Sequence, residues 1–180
     1  MFYYDKLNDL LTHSSESGFP FDTPAFIVNT MFTDSNKNLW IGSNDQGFKT
    51  IYNYKERFNE DNTIRSAFAG KSVKSVVSDK QDNLWVSTNL YGMFKYDITS
   101  KTIEKIKHIH RASNPLESDT VYGSFIDRDG FLWTMEVGKV TKSSIADGSM
   151  TPISSYNVFL PMSMSQSDDG TIWIASASQY

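Results

Sequence analysis

His108 and His110 stand at alternate positions and are followed by Arg111, a spacing that puts two imidazoles on one side of an extended segment and could hold a metal ion. No third ligand lies near them, and the chain has only three histidines, so no metal is expected and His110 reads as a solvent-facing or ligand-facing loop residue. Asp34, Asn36 and Asn38, and again Asp127, Asp129 and Gly130, carry oxygens in the alternating order of a calcium loop. The sixth position, where such a loop needs glycine, is Leu39 or Leu132. Both segments run into a tryptophan and read as hairpin turns. Tyr91 with Asn89, Asp45 and His110 offers a different chemistry, since a flat aromatic beside planar hydrogen-bonding groups is what a carbohydrate site combines. No nucleophile is marked by a neighbouring base and no cofactor motif occurs, so neither an enzyme nor a bound cofactor is expected.

These residues need a rigid frame, and composition says what kind. The chain has 180 residues, 39% of them hydrophobic and 14% aromatic, which suits one folded domain rich in strands. The net charge of -4, with both signs interspersed, leaves no nucleic-acid footprint. Without cysteine there is no disulfide, thiol catalysis or cysteine metal site, and the redox compartment stays open. No stretch approaches the roughly 18 apolar residues of a membrane span, and residues 1–6 do not read as a signal peptide. Any export signal or membrane anchor is expected outside this sequence.

Tryptophans at 40, 85, 133 and 173 mark an internal repeat, with spacings of 45, 48 and 40 residues. Such intervals fall within the roughly 40 to 50 residues of a β-propeller blade. Asn38-Leu39-Trp40-Ile41-Gly42-Ser43 is echoed by Asn83-Leu84-Trp85-Val86-Ser87-Thr88, then by Phe131-Leu132-Trp133 and Thr171-Ile172-Trp173-Ile174. Asp34, Asp79 and Asp127 each stand six residues before their tryptophan. Each copy reads as an apolar strand, a polar hairpin turn, a strand centred on tryptophan, a third strand after glycine and a weaker fourth.

The expected fold is therefore all-β, a β-propeller of four-stranded antiparallel blades spanning 1–180. The blades are placed at 25–60, 73–107 and 120–154, with a composite of 1–14 and 159–180. Trp40, Trp85, Trp133 and Trp173 are expected as wedges between blades, and helix is expected to be nearly absent. Residues 1–7 match the third strand that begins at Met93, whereas the last copy stops after its second strand. Pairing the two ends would close a ring of four. A fragment of a larger propeller, or a homodimer of two half-rings, fits the same pattern.

The motif of aspartate, then Asn-Leu-Trp-Ile-Gly-Ser, then glycine and phenylalanine, resembles the two-component regulator propeller repeat of periplasmic sensor regions in bacterial hybrid histidine kinases, especially those of gut Bacteroides that respond to glycan fragments. The likeness runs through all four copies, strongest in the first two. The third departs most, with Thr134-Met135-Glu136 after its tryptophan and an early Gly138. What the resemblance implies is a periplasmic, non-enzymatic ligand-sensing region, connected to a membrane only through segments absent here. The shared residues build blades, so no ligand residue is implied.

In a propeller, ligands meet the face made by the loops from strand two to strand three and from strand four to the next blade. Those loops are placed at 44–46, 89–91 and 136–137, with connectors at 59–72, 107–120 and 154–158. The leading expectation is a sensor propeller for an oligosaccharide or other small ligand. A scaffold for protein partners is the alternative, because a fold alone does not fix function.

Overall fold

The structure, a computed structural model, describes residues 2–6, 8–13, 15, 27–45, 47–51, 62–106 and 119–177. In chain order the strands begin with β1 (Phe2–Asp5) and β2 (Leu10–His13), which pair with each other. β3 (Val28–Thr33), β4 (Leu39–Ser43) and β5 (Phe48–Ile51) form the next sheet, followed by helix α1 (Asn62–Phe68). β6 (Val73–Ser78), β7 (Asn83–Thr88), β8 (Gly92–Asp97) and β9 (Thr102–Ile106) make a complete four-stranded blade. So do β10 (Val121–Ile126), β11 (Leu132–Glu136), β12 (Lys139–Ser144) and β13 (Thr151–Asn157). β14 (Pro161–Gln166) and β15 (Ile172–Ser176) form a last pair. All these pairings are antiparallel, and the chain is an all-β propeller built of blades.

The hairpin between first and second strands repeats in every blade. Lys37, Asp82, Gly130 and Gly170, each three residues before a tryptophan, all have positive φ, between 59° and 89°. Glycine adopts this conformation freely, and the Lys and Asp copies tolerate it because the turn is locked by backbone bonds such as Asp34 N–H to Asn38 O at 3.0 Å. Asp34, Asp79 and Asp127 then reach across the turn, each accepting the indole N–H of its own tryptophan at 2.8, 2.9 and 2.8 Å.

Blades stack through their first strands, β3 on β6, β6 on β10 and β10 on β14. Trp40 packs with Val73, Val76, Leu84 and Tyr96 of the following blade, Trp85 with Val121 and Leu132 of the next, and Trp133 beside Met164, Ile172 and Ile174 of the last. The rule is directional, because each of these three tryptophans is covered by the blade that comes after it. β7 lies between two neighbours and every one of its residues is buried.

Several expectations need correction. Trp173 is 63% exposed, because no blade among the described residues follows its own. The strand pairs β1–β2 and β14–β15 are separate sheets, so no composite blade is formed within this chain among the described residues. Residues 154–157, expected in a connector, belong to β13, whose polar side chains suit an outer strand open to solvent. Finally, the 59–72 connector carries a helix, in which Ile64 and Phe68 are one turn apart and buried against Phe48 and Phe94. Gly70, at φ 69°, ends the helix in the left-handed conformation.

Candidate functional site

The loops from second to third strands and the entries to the first strands meet at one end of the blades and are tied together by hydrogen bonds. Ser72, just before β6, is the centre of this mesh. Its hydroxyl donates to Asn44 Oδ1 at 3.1 Å and accepts from Asn29 Nδ2 at 3.3 Å, while its carbonyl accepts the Asn89 N–H at 2.9 Å. Thr120, just before β10, repeats the arrangement one blade later: its hydroxyl donates to Asn89 Oδ1 at 3.2 Å and accepts from the Leu90 N–H at 3.0 Å.

Of the expected ligand residues, the structure gathers three on this face. The Asp45 carbonyl accepts the Gly70 N–H at 3.0 Å, which sets its exposed side chain beside the end of α1. Asn89 is half-buried and committed to Thr120. Tyr91 bridges to Asp119 and is 42% exposed as a residue, with Lys71 Nζ at 5.2 Å from the ring centroid. His110 and its neighbour His108 lie outside the described residues, as does Gln46 of the first loop. Glu136, expected in a loop, is instead the buried last residue of β11, accepting from Thr134 Oγ1 at 2.8 Å and paired with Lys139 at 3.3 Å. The third blade turns in the two residues Val137 and Gly138, so its loop contributes little to the face.

Lys71 was not marked by any motif. Its signal was local: a cation next to the helix-ending Gly70, two residues before a strand. Leu90 is the other surprise, a leucine at φ 70° and 60% exposed. A left-handed non-glycine residue costs about 1 kcal/mol. Its neighbours hold it there, through the Leu90 N–H to Thr120 and the Gly92 N–H to the Asp119 carbonyl at 2.6 Å. The loop is thus a preset platform carrying Leu90 and Tyr91 outward. Among the described residues no group of three or more His, Cys, Asp or Glu could hold a metal, and no helix is long and apolar enough to cross a membrane.

Four-stranded antiparallel sheets, each opening on a clasped hairpin and stacked inner strand on inner strand, define the molecule as a β-propeller repeat protein. Within that class, residues 24–45 match the family model described as two component regulator propeller, which bears out the resemblance of the repeat motif. None of the curated proteins matches the sequence. The fold is similar to the extracellular domain assigned to the hybrid two component system BT3049 of B. thetaiotaomicron, with a TM-score of 0.62 and 20% identity over 93% of this chain and 23% of that one. It is similar to the corresponding domain of BT4673 from the same organism, at 0.57 and 16% over 86% of this chain and 26% of that one. It is also similar to virginiamycin B lyase from Staphylococcus aureus, at 0.58 and 11% over 87% and 65%. The chain spans about a quarter of the length of the two B. thetaiotaomicron domains, and at these identities the likeness is one of fold.

Proposed function

We propose that this chain is part of a ligand-sensing propeller of a bacterial two-component receptor, exposed to the periplasm, that binds an oligosaccharide without chemically altering it. The observation that carries this reading is the preset Asn89–Tyr91 loop, which holds a half-exposed aromatic ring beside Lys71 and within a mesh of amides and hydroxyls. Sugar rings stack on such aromatic faces, and amide and hydroxyl groups match their hydroxyls as both donors and acceptors. The match of residues 24–45 to the two component regulator propeller supports the signalling context. Asn29, Asn44, Ser72, Asn89 and Thr120 have no titration near neutral pH, so they suit holding a ligand better than moving protons.

A glycan array on the receptor region that contains this chain tests the reading. Binding is expected, lost in Tyr91→Ala with the melting temperature kept, and the bound glycan is expected to be recovered uncleaved. A blank array together with a protein partner that depends on Tyr91 would replace the sensor reading by a scaffold, and recovery of a cleaved glycan would replace it by an enzyme.

A further inference from the structure

In four of the five sheets, all but β1–β2, the first strand slips register against the second at its second residue. The slip falls between Val28 and Thr30, Val73 and Ser75, Val121 and Gly123, and Pro161 and Ser163. The residues left out of the ladder are Asn29, Lys74, Tyr122 and Met162, and each stands eleven residues before its tryptophan (29 and 40, 74 and 85, 122 and 133, 162 and 173). A bulge re-aims one side chain away from the sheet's alternation. Blade building repeats this geometry four times, yet the four residue types are an amide, a cation, a phenol and a thioether. The fold therefore fixes the position without dictating the chemistry there.

In the first blade the bulged side chain reaches over the start of the next inner strand. Asn29 Nδ2 donates to Ser72 Oγ at 3.3 Å and to the Val73 carbonyl at 3.1 Å, the residues that lead into Lys74. Tyr122 and Met162 together line an open groove of about 440 Å³ with Leu160, Pro161 and Ala177. Ser75 and Ser124 hydroxyls at 2.7 Å hold β6 against β10, so Lys74 and Tyr122 start neighbouring strands. Lys74 is half-buried, and no carboxylate among the described residues pairs with it.

The geometry points to a second binding site, formed by Lys74, Tyr122 and Met162 with Asn29 at its border, for a small ligand that carries one carboxylate on a ring with an apolar face. The ring lies in the groove against Tyr122 and the adaptable Met162 side chain, and the carboxylate turns toward Lys74, which meets no carboxylate among the described residues. A groove of this size falls among those that hold small ligands, on the order of 300 to 1,000 Å³. A uronic acid unit of an oligosaccharide and a free aromatic acid both have this chemistry. The site uses none of Asp45, Asn89 or Tyr91 and stands whether or not that loop binds sugar.

Titration calorimetry on the full chain tests it with digalacturonate, 4-hydroxybenzoate and their neutral counterparts, digalactose and 4-hydroxybenzyl alcohol. At least one carboxylate is expected to bind about tenfold or more tightly than its neutral partner, the margin of one charge-assisted contact. Which of the two does so identifies the source. Lys74→Gln should erase the margin, Lys74→Arg should keep it, Tyr122→Ala should weaken both members of the pair, and Tyr91→Ala should change neither. Absence of binding by both acids overturns the proposal, as does a carboxylate preference that survives Lys74→Gln.

Discussion

Asp79 Oδ2 accepts the indole N–H of Trp85 at 2.9 Å, joining the turn of the second blade to the tryptophan that the third blade covers. The same carboxylate takes the Asn83 and Gln81 backbone N–H groups and the Asn83 side-chain amide, all at 2.9 Å. Four donors converge on one buried side chain.

Asp79→Ala would leave those donors without an acceptor in a closed environment. An unsatisfied buried donor costs about 1 to 3 kcal/mol, so a loss of about 3 kcal/mol or more is expected for the cluster. Ser167→Ala removes the equivalent partner in the last blade, where Trp173 meets Ser167 Oγ at 3.3 Å in an exposed setting. Its effect should stay within about 0.5 kcal/mol. Urea unfolding of both variants checks the contrast, and equal losses would show that the clasp is not what matters.

Trp85 and Trp173 occupy the same position in their repeats but are 0% and 63% exposed. Trp85→Ala should cost about 3 to 5 kcal/mol, as other large core truncations do. Trp173→Ala should cost less than about 1 kcal/mol. Denaturant midpoints measure the difference, and a Trp173→Ala loss as large as that of Trp85→Ala would mean that its face is covered in solution.

The pattern of four tryptophans, their preceding aspartates and the turns between them made the blades legible, since each signal is local and repeats within one sheet. The exposure of Trp173 is not legible in sequence, because burial of a blade residue depends on the blade after it and the residue's own surroundings in sequence are those of Trp40. The place of Glu136 is hidden for a different reason. A charged residue after a strand reads as a loop, but here Thr134 and Lys139 supply the partners that let it end β11 inside the protein. Tyr91 and Asn89 were legible as loop residues, whereas the Lys71 Nζ over the Tyr91 ring joins two loops far apart in sequence. The bulges left a trace in the constant spacing to tryptophan, yet nothing in Asn29, Lys74, Tyr122 or Met162 as residue types announces them.

Gly47 and Gly138 follow second strands and have similar φ values of 76° and 72°. They differ in surroundings, because a Cβ at Gly47 would stand 2.5 Å from Phe68 Cβ, whereas one at Gly138 meets nothing within 4 Å. Alanine at either position meets the left-handed cost of about 1 kcal/mol. At Gly47 it would also push α1 and the buried Phe68 away from Phe48, an overpacking worth roughly 1 to 3 kcal/mol more. Thermal unfolding should therefore rank Gly47→Ala well below Gly138→Ala, and the reverse order would mean that α1 adjusts freely.

Acid should weaken the fold through its surface turns. Asp169 is held down to about 2, chiefly by the Ser167 hydroxyl at 2.6 Å and then by the Thr171 N–H. Asp97 is lowered mainly by its bond from the Ser100 backbone, and Asp147 by the Ser149 hydroxyl. A carboxyl whose folded pKa lies below its unfolded value of 3.8 stabilises above that value, and the contribution fades as pH falls through the folded pKa. Melting temperatures should accordingly drop between pH 4 and pH 2, more gently in Asp169→Asn. An unchanged slope in that variant would remove Asp169 from the account.

The N-terminal hairpin supplies the last prediction. Among the described residues β1 and β2 pair only with each other, and Tyr4, Leu10 and Leu11 stand 55%, 56% and 60% exposed. A lone two-stranded hairpin is marginal in water and lends little to what it adjoins. Deleting residues 1–14 should therefore shift the urea midpoint only slightly and leave Trp173 emission where a solvent-exposed indole places it. Pairing of β1 with the edge of β15 in solution would change both readings. The edge strand would lose its partner on deletion, the protein would aggregate or unfold, and any Trp173 emission that began blue-shifted would move to the red. A large loss of stability accompanied by that red shift would overturn the separate-sheet arrangement. A small loss with unchanged emission is the outcome expected of the four blades as they stand.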